Sequence, residues 1–171
     1  MFRKMKFLMA LMAALTMCIC SAPSRADGAS GSVTIDELVS HYNMGVPTGT
    51  TTVKFHWNAT ATQPLWWGKG GIDLTIHYYA HMADADAHTN EVSSTTQFDF
   101  WQGAGYSLPV NTPVQYSEMP EIDWRSQVHY PSGAYYARAE YTCYLKLNHP
   151  TSPTQTIWYL KYAWDPSYSG P

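Results

Sequence analysis

Residues 135–147, which read YYARAEYTCYLKL, show the clearest alternation of side chains in the sequence. Their side chains alternate between a mostly apolar set and a more polar set. The apolar set comprises Tyr135, Ala137, Ala139, Tyr141, Cys143, Leu145 and Leu147. Successive residues of a strand point to opposite faces, whereas a helix cannot keep a period of two on one face. The stretch therefore predicts a long strand with Cys143 on its buried face.

Three further stretches, residues 53–59, 72–78 and 158–164, show the same alternation. In the last of them the more apolar set is Trp158, Leu160, Tyr162 and Trp164, and this set is expected to face the core. Weaker candidates are residues 94–101, 110–116 and 124–130. About seven short strands separated by Gly-, Pro- and Asn-rich turns predict an all-β antiparallel sandwich that forms a single domain.

Residues 34–42 break the strand pattern. Thr34 and Glu37 have the spacing of a capping box, and Ile35, Leu38, Val39 and Tyr42 recur at helical intervals. This favours a short N-terminal helix. In the alternative interpretation, Val33 and Ile35 alternate well enough for a short strand.

A turn of sequence Pro131-Ser132-Gly133-Ala134-Tyr135 leads into the long strand, and Tyr141 stands two residues before Cys143. This arrangement resembles the sixth strand of immunoglobulin-like sandwiches. The resemblance implies an immunoglobulin-like fold and no particular function. No partner cysteine occurs in residues 53–59, which excludes an antibody-type domain.

The beginning of the chain indicates export. Arg3, Lys4 and Lys6 precede an apolar run, and Ser24 and Ala26 occupy the −3 and −1 positions of a cleavage site. This pattern predicts a signal peptide over residues 1–26 and a secreted or periplasmic domain over residues 27–171. The apolar run is too short for an integral membrane span.

The charge of the mature chain limits its partners. Cleavage would remove four of the ten Lys and Arg and none of the thirteen Asp and Glu, which leaves a net charge of −7. An acidic surface repels phosphates and anionic lipid heads, so nucleic acid is excluded as a partner, and neutral or cationic ligands fit better. Cys143 would be left without a disulfide partner.

Trp66 and Trp67 stand side by side before a glycine-rich turn. An exposed Trp can stack on a sugar ring or enter a pocket of a partner. Alternatively, both indoles could fold back over one end of the sandwich.

The outward face of the predicted strands is also rich in aromatic residues. If residues 72–80, 135–147 and 155–164 share a sheet, five side chains crowd one surface: His77, Tyr79, Tyr136, Tyr144 and Tyr159. Such a surface suits recognition of a glycan or a protein. Cross-strand aromatic pairing without a ligand is the alternative.

Acidic residues offer weaker signals. Glu121-Ile122-Asp123 resembles part of the Glu-Ile-Asp-x-x-Glu signature of β-sandwich glucanases, which implies a nucleophile and an acid, but the third carboxylate is missing. Asp84, Asp86, His88 and Asn90 echo a calcium loop without its glycine or its final Glu. We expect no metal and no cofactor there.

These observations predict an exported recognition or interaction module that binds a glycan or an extracellular protein through Trp66, Trp67 and the outer aromatic face. The alternatives are a small carbohydrate-active hydrolase that uses Glu121 and Asp123, or a surface or filament subunit that associates with further copies of itself.

Overall fold

The structure is a computed structural model that describes residues 28–149, 151, 156–165 and 168–169. Within these residues the strands are β1 (Ala29–Asn43), β2 (Val46–Ala61), β3 (Trp67–Tyr79), β4 (Glu91–Ser107), β5 (Val114–Glu118), β6 (Glu121–Asp123), β7 (Tyr136–Asn148), β8 (Thr156–Trp164) and β9 (Tyr168–Ser169). Helix α1 spans Met82–Ala87, and a 3-10 helix spans Arg125–Gln127. The predicted signal peptide lies outside the described residues.

Two antiparallel sheets pack against each other. The smaller sheet has the order β1-β2-β5, and β6 also pairs with β2. The larger sheet has the order β4-β3-β7-β8, and β9 pairs with the start of β7. This architecture confirms the predicted all-β, immunoglobulin-like sandwich, with two strands more in the described residues than the sequence suggested. In the described part of the chain, no helix is long and apolar enough to cross a membrane.

The core lies between the two sheets and consists of the alternating apolar side chains of the central strands. Its members from β2, β3 and β7 are almost completely buried: Val53, Phe55, Trp57, Ile72, Leu74, Ile76, Ala139, Tyr141, Cys143, Leu145 and Leu147. The predicted burial of Cys143 is thus confirmed. Each large apolar side chain removed from water in this way stabilises the fold by about 1.5–3 kcal/mol.

A buried carboxyl group connects the two sheets. Asp165, which directly follows β8, is only 2 % exposed. Its two oxygens accept hydrogen bonds from four side chains: Ser40 of β1, Thr51 of β2, Trp124 and Tyr141 of β7. The Trp124 Nε1 donor is 2.7 Å away and the Tyr141 hydroxyl 3.1 Å away. Because a buried carboxyl group is costly unless its oxygens are hydrogen-bonded, this set of donors makes its burial tolerable.

The predicted N-terminal helix is wrong, because residues 34–42 belong to β1. The ladder with β2 pairs Ile35 with Phe55 but Glu37 with Lys54, so Asp36 is an extra residue in β1. This bulge places Ile35 and Leu38 on the same face, where both pack against the core. A strand with a one-residue bulge thus produces the three-residue spacing that also indicates a helix.

The expected orientation of β8 is also wrong. Trp158 pairs with Lys146, and Leu160 pairs with Tyr144, so the more apolar side of β8 lies on the outer face of the sheet. Tyr159 pairs with the buried Leu145 and packs against the core. The alternation was identified correctly, but its two sides are interchanged.

The weak strand candidate over residues 124–130 is not a strand either. Trp124 is buried, and Arg125–Gln127 forms the 3-10 helix.

Candidate functional site

The outer face of the larger sheet is divided into two halves by what covers it. Cross-strand pairing through β3, β7 and β8 arranges its residues in rows. From one end these rows are Lys69–Lys146–Trp158, Gly71–Tyr144–Leu160, Asp73–Thr142–Tyr162 and Thr75–Glu140–Trp164, followed by His77–Arg138 and Tyr79–Tyr136 on β3 and β7. The rows near His77 are covered, whereas the rows near Trp158 face solvent.

His77 lies in the centre of the covered half. Its Nδ1 is 2.6 Å from Glu91 Oε2, and its Nε2 is 3.1 Å from Glu140 Oε2. A neutral imidazole can donate only one of these bonds, whereas the imidazolium ion donates both. The ring is therefore fully engaged with protein groups.

The Trp164 side chain covers the same half of the outer face. Its ring centroid is 4.7 Å from that of His77 and 4.1 Å from that of His88, which caps α1. Burial lowers the pKa of His88, and the positive charge of Arg138 lowers it further. Arg138 donates to the carbonyl groups of Ala85, Asp86 and Asp165, so it ties α1 and the end of β8 to the sheet.

The sequence-predicted residues in this half are poorly placed to meet a ligand. Tyr79 is buried, and this burial raises the pKa of its hydroxyl. Tyr136 is half-buried, and its backbone pairs with β9. The structure brings His77, Tyr79 and Tyr136 together, as expected, but in the covered half of the face.

The solvent-facing half presents large apolar side chains. Trp67 is 45 %, Trp158 47 %, Leu160 44 % and Tyr162 58 % exposed. We call these four side chains, together with Tyr144 beneath them, the aromatic platform. Large apolar groups grouped on one flat face commonly mark an interaction surface.

Tyr144 forms the floor of the aromatic platform. Its ring lies across Gly71, where a Cβ atom would come within 2.3 Å of the Tyr144 hydroxyl oxygen. That hydroxyl donates to Asp99 Oδ1, and the ring meets the Trp158 ring at a centroid distance of 5.2 Å. Burial, reinforced by the bond to Asp99, raises the pKa of Tyr144 well above its usual value. Glycine at position 71 thus allows Tyr144 to lie flat and support Trp158.

A bulge in β4 places carboxyl groups beside the aromatic platform. Between the pairs Leu74–Gln97 and Ile72–Trp101, β4 has more residues than β3, and Asp99 takes a φ of 53°. Its N–H donates to Asp73 Oδ1 over 2.5 Å. Burial raises the pKa of Asp73; the hydrogen bond from Asp99 opposes this shift, and the negative charge of Asp99 adds to it. Phe98, in the same bulge, is among the most exposed apolar side chains of the described residues.

Two lysines lie at the opposite end of the aromatic platform. Lys146 Nζ is 4.9 Å from the centroid of the Trp158 ring, close enough for a cation–π interaction. Lys69 Nζ donates to Gln102 Oε1. The aromatic platform therefore has cationic groups at one end and carboxyl groups at the other.

The structure separates the two adjacent tryptophans. Trp66 is fully buried, its ring lies against His149 at 5.3 Å, and its Nε1 is without a hydrogen-bond partner within the described residues. Trp67 is the first residue of β3 and stays exposed. Trp66 is thus a core residue and is removed from the predicted binding set, whereas Trp67 remains in it.

Tyr159 also leaves the predicted set, because it faces the inside of the sandwich. The residues that take its place, Trp158 and Tyr162, were visible in the sequence as the apolar side of an alternating stretch. Hydrophobicity alone assigned them to the core. Only the register of β8 on β7 shows that they face solvent.

The predicted hydrolase residues lie elsewhere. Glu121 and Asp123 are exposed on β6, opposite Thr52 and Thr50 on the outer face of the smaller sheet. The thickness of the sandwich separates them from the aromatic platform.

In the loop whose sequence echoes a calcium site, Asp84 accepts hydrogen bonds from the side chains of Thr89 and Asn90, which follow α1. Among the described residues, no group of three or more His, Cys, Asp or Glu side chains could hold a metal ion.

No protein-family model and no curated protein matches this chain. Two solved structures show a distant likeness. The X-ray structure of Northeast Structural Genomics Consortium target SoR45 is 14 % identical, with 84 % of this chain and 88 % of that chain covered and a TM-score of 0.35. A Bordetella pertussis protein provisionally named ApaA is 7 % identical, with 86 % and 98 % covered and a TM-score of 0.33. Likenesses at this level carry no argument about function.

Proposed function

We propose that this chain is a recognition module that binds a glycan through the aromatic platform. The observation that carries the proposal is the orientation of β8, which turns Trp158, Leu160 and Tyr162 toward solvent. Large apolar side chains that stay exposed do not gain the stabilisation that burial would give. Such departures from the usual burial of apolar residues are expected at functional sites.

The composition of this half of the face suits a sugar. Indole and phenol rings offer flat apolar surfaces, and the hydroxyl of Tyr162 can also form a hydrogen bond. Lys69 shares a row with Trp158, Asp73 shares a row with Tyr162, and Gln102 accepts a bond from Lys69, so donors and acceptors for sugar hydroxyls lie in the same rows as the rings. These residues lie on the strands of a sheet, so that binding requires little further ordering of the backbone.

Retention on immobilised polysaccharides tests the proposal. Trp158→Ala and Tyr162→Ala should each weaken retention about tenfold or more, because each removes a stacking surface. The matched control is Tyr135→Ala, since Tyr135 is 66 % exposed but lies outside the aromatic platform. All three variants should melt close to the parent protein. Absence of retention on every polysaccharide, or equal retention of all three variants, would contradict the proposal.

A second candidate function, assembly with a protein partner or with further copies of this chain, is favoured by one observation. β8 is the last strand of its sheet, and it carries the exposed Leu160. An exposed apolar edge strand can pair with a strand from another chain. Sedimentation across a wide concentration range distinguishes this candidate: a mass that increases with concentration supports it, and a constant monomer mass contradicts self-association.

A further inference from the structure

Lys69 and Lys146 stand directly opposite each other on neighbouring strands of the larger sheet. Side chains in such a pair have Cβ atoms roughly 5 Å apart, and like charges in this position destabilise a sheet. Both side chains belong to the row of Trp158, and Trp67 precedes Lys69 by two residues on the same face of β3. The two ammonium groups turn apart, that of Lys69 toward Gln102 on β4 and that of Lys146 toward Trp158 on β8, which leaves the space between the side chains open.

Neither lysine is paired with a carboxylate in the part of the chain that the structure describes. Lys69 donates to the neutral Gln102 side chain, and Lys146 lies over the Trp158 ring. Among the described residues, none of the ion pairs found includes either lysine. The nearest acidic row, that of Asp73, is two rows farther along the sheet, roughly 13 Å from Lys69 along the strand. Within the described residues, the two positive charges therefore have no compensating carboxylate.

We infer that the glycan bound by the aromatic platform is anionic, and that its carboxylate or sulfate group binds between Lys69 and Lys146 while a sugar ring stacks on Trp158 or Trp67. This inference rests on the proposed glycan-binding function. An anion between the two side chains compensates both positive charges and accepts a charge-assisted hydrogen bond from each ammonium group that turns toward it. An anionic ligand differs from the expectation, drawn from the acidic composition alone, that neutral or cationic ligands fit better.

The net charge of the protein restricts which anions can bind at this position. The chain has a net charge of −3, so its long-range field disfavours anions in general. Only a ligand that also uses the aromatic surface overcomes that field. A polyanion without suitable sugar rings should bind weakly.

The test compares retention of the full chain on three immobilised polymers: neutral dextran, carboxylated polygalacturonate and dextran sulfate. We expect at least one anionic polymer to be retained about tenfold more strongly than dextran. The double variant K69Q/K146Q should lose about tenfold of that retention, the combined effect of two surface charge contacts. The matched control is K54Q, since Lys54 is exposed on the smaller sheet. Comparison of the two anionic polymers distinguishes a carboxylate from a sulfate.

Each contrary result has a distinct meaning. If dextran is retained as strongly as the anionic polymers and Trp158→Ala abolishes this retention, the glycan function stands and the anionic preference is wrong. If anionic polymers are retained but Trp158→Ala has no effect, retention is ion exchange elsewhere and the inference fails. If K69Q/K146Q and K54Q behave alike, the lysine pair is not the subsite. If no polymer is retained, the proposed function fails together with the inference.

Discussion

At the level of single residues, Asp165 joins segments that are far apart in the sequence. Its four side-chain donors are 125, 114, 41 and 24 residues away along the chain. No local pattern in the sequence pointed to this residue, because its environment exists only when β1, β2 and β7 have come together. The apolar neighbours of Cys143, in contrast, lie within its own strand, so its burial could be predicted.

Replacing Asp165 tests the importance of this carboxyl group. Asp165→Ala leaves buried donors without an acceptor and should lower the free energy of unfolding by about 3–5 kcal/mol. Asp165→Asn should cost less, about 1–3 kcal/mol, because the amide oxygen can still accept from Trp124 while the amide nitrogen faces the Ser40 hydroxyl. Urea denaturation measures both values, with Asp123→Ala as an exposed control. A cost below about 1 kcal/mol for the alanine variant would show that the donors find other partners.

The Cys143 thiol makes stability depend on pH in the alkaline range. Burial raises its pKa from 9.0 to about 12, so the unfolded chain loses this proton at a lower pH than the folded chain does. The thiol therefore contributes fully to stability below pH 9, and this contribution declines as the pH rises toward 12.

We expect the free energy of unfolding to fall above pH 9, with a slope for the thiol of at most about 1.4 kcal/mol per pH unit. Cys143→Ala should reduce that slope and leave the part due to the buried tyrosines, since Tyr141 also has a raised pKa. Urea titrations of both proteins between pH 8 and pH 10.5 measure this slope. An unchanged slope in Cys143→Ala would contradict the assignment.

At the level of elements, the sequence predicted the central strands well and the edge strands poorly. β2, β3 and β7 have neighbours on both sides, so their inner faces are mostly apolar and their alternation is clear. β1 and β8 lie at sheet edges. There a bulge at Asp36 disrupted the period, and the exposed face of β8 is more apolar than its other face. Both errors arise because the pairing of these strands depends on tertiary contacts, which cannot be predicted from local hydrophobicity.

The orientation of β8 can be tested by substituting one tyrosine on each of its two faces. Tyr159→Ala should lower the free energy of unfolding by about 2 kcal/mol, because this ring packs against the core. Tyr162→Ala should cost less than about 0.5 kcal/mol, because its ring is exposed. Urea denaturation of the two variants gives the comparison. The reverse order of costs would mean that β8 presents its other face to solvent.

At the level of the whole molecule, the outer face of the larger sheet combines a sealed half and an accessible half. α1, Trp164 and Arg138 cover the rows around His77, whereas the rows from Trp158 to Tyr162 have no such cover in the described part of the chain. From the sequence it was possible to predict that this face is aromatic and to name Trp67 and Tyr144. The separation into halves depends on how α1 and the end of β8 fold back, which no strand pattern reveals.

A glycan that covers the outer side of β8 should protect the tryptophans there from a soluble quencher. Trp67 and Trp158 are the most exposed tryptophans of the described residues, so acrylamide should quench chiefly their fluorescence. We predict that a saturating glycan reduces this quenching and that Trp158→Phe abolishes most of the reduction. Quenching that stays the same with glycan bound, or the same protection in Trp158→Phe, would mean that no glycan covers the outer side of β8.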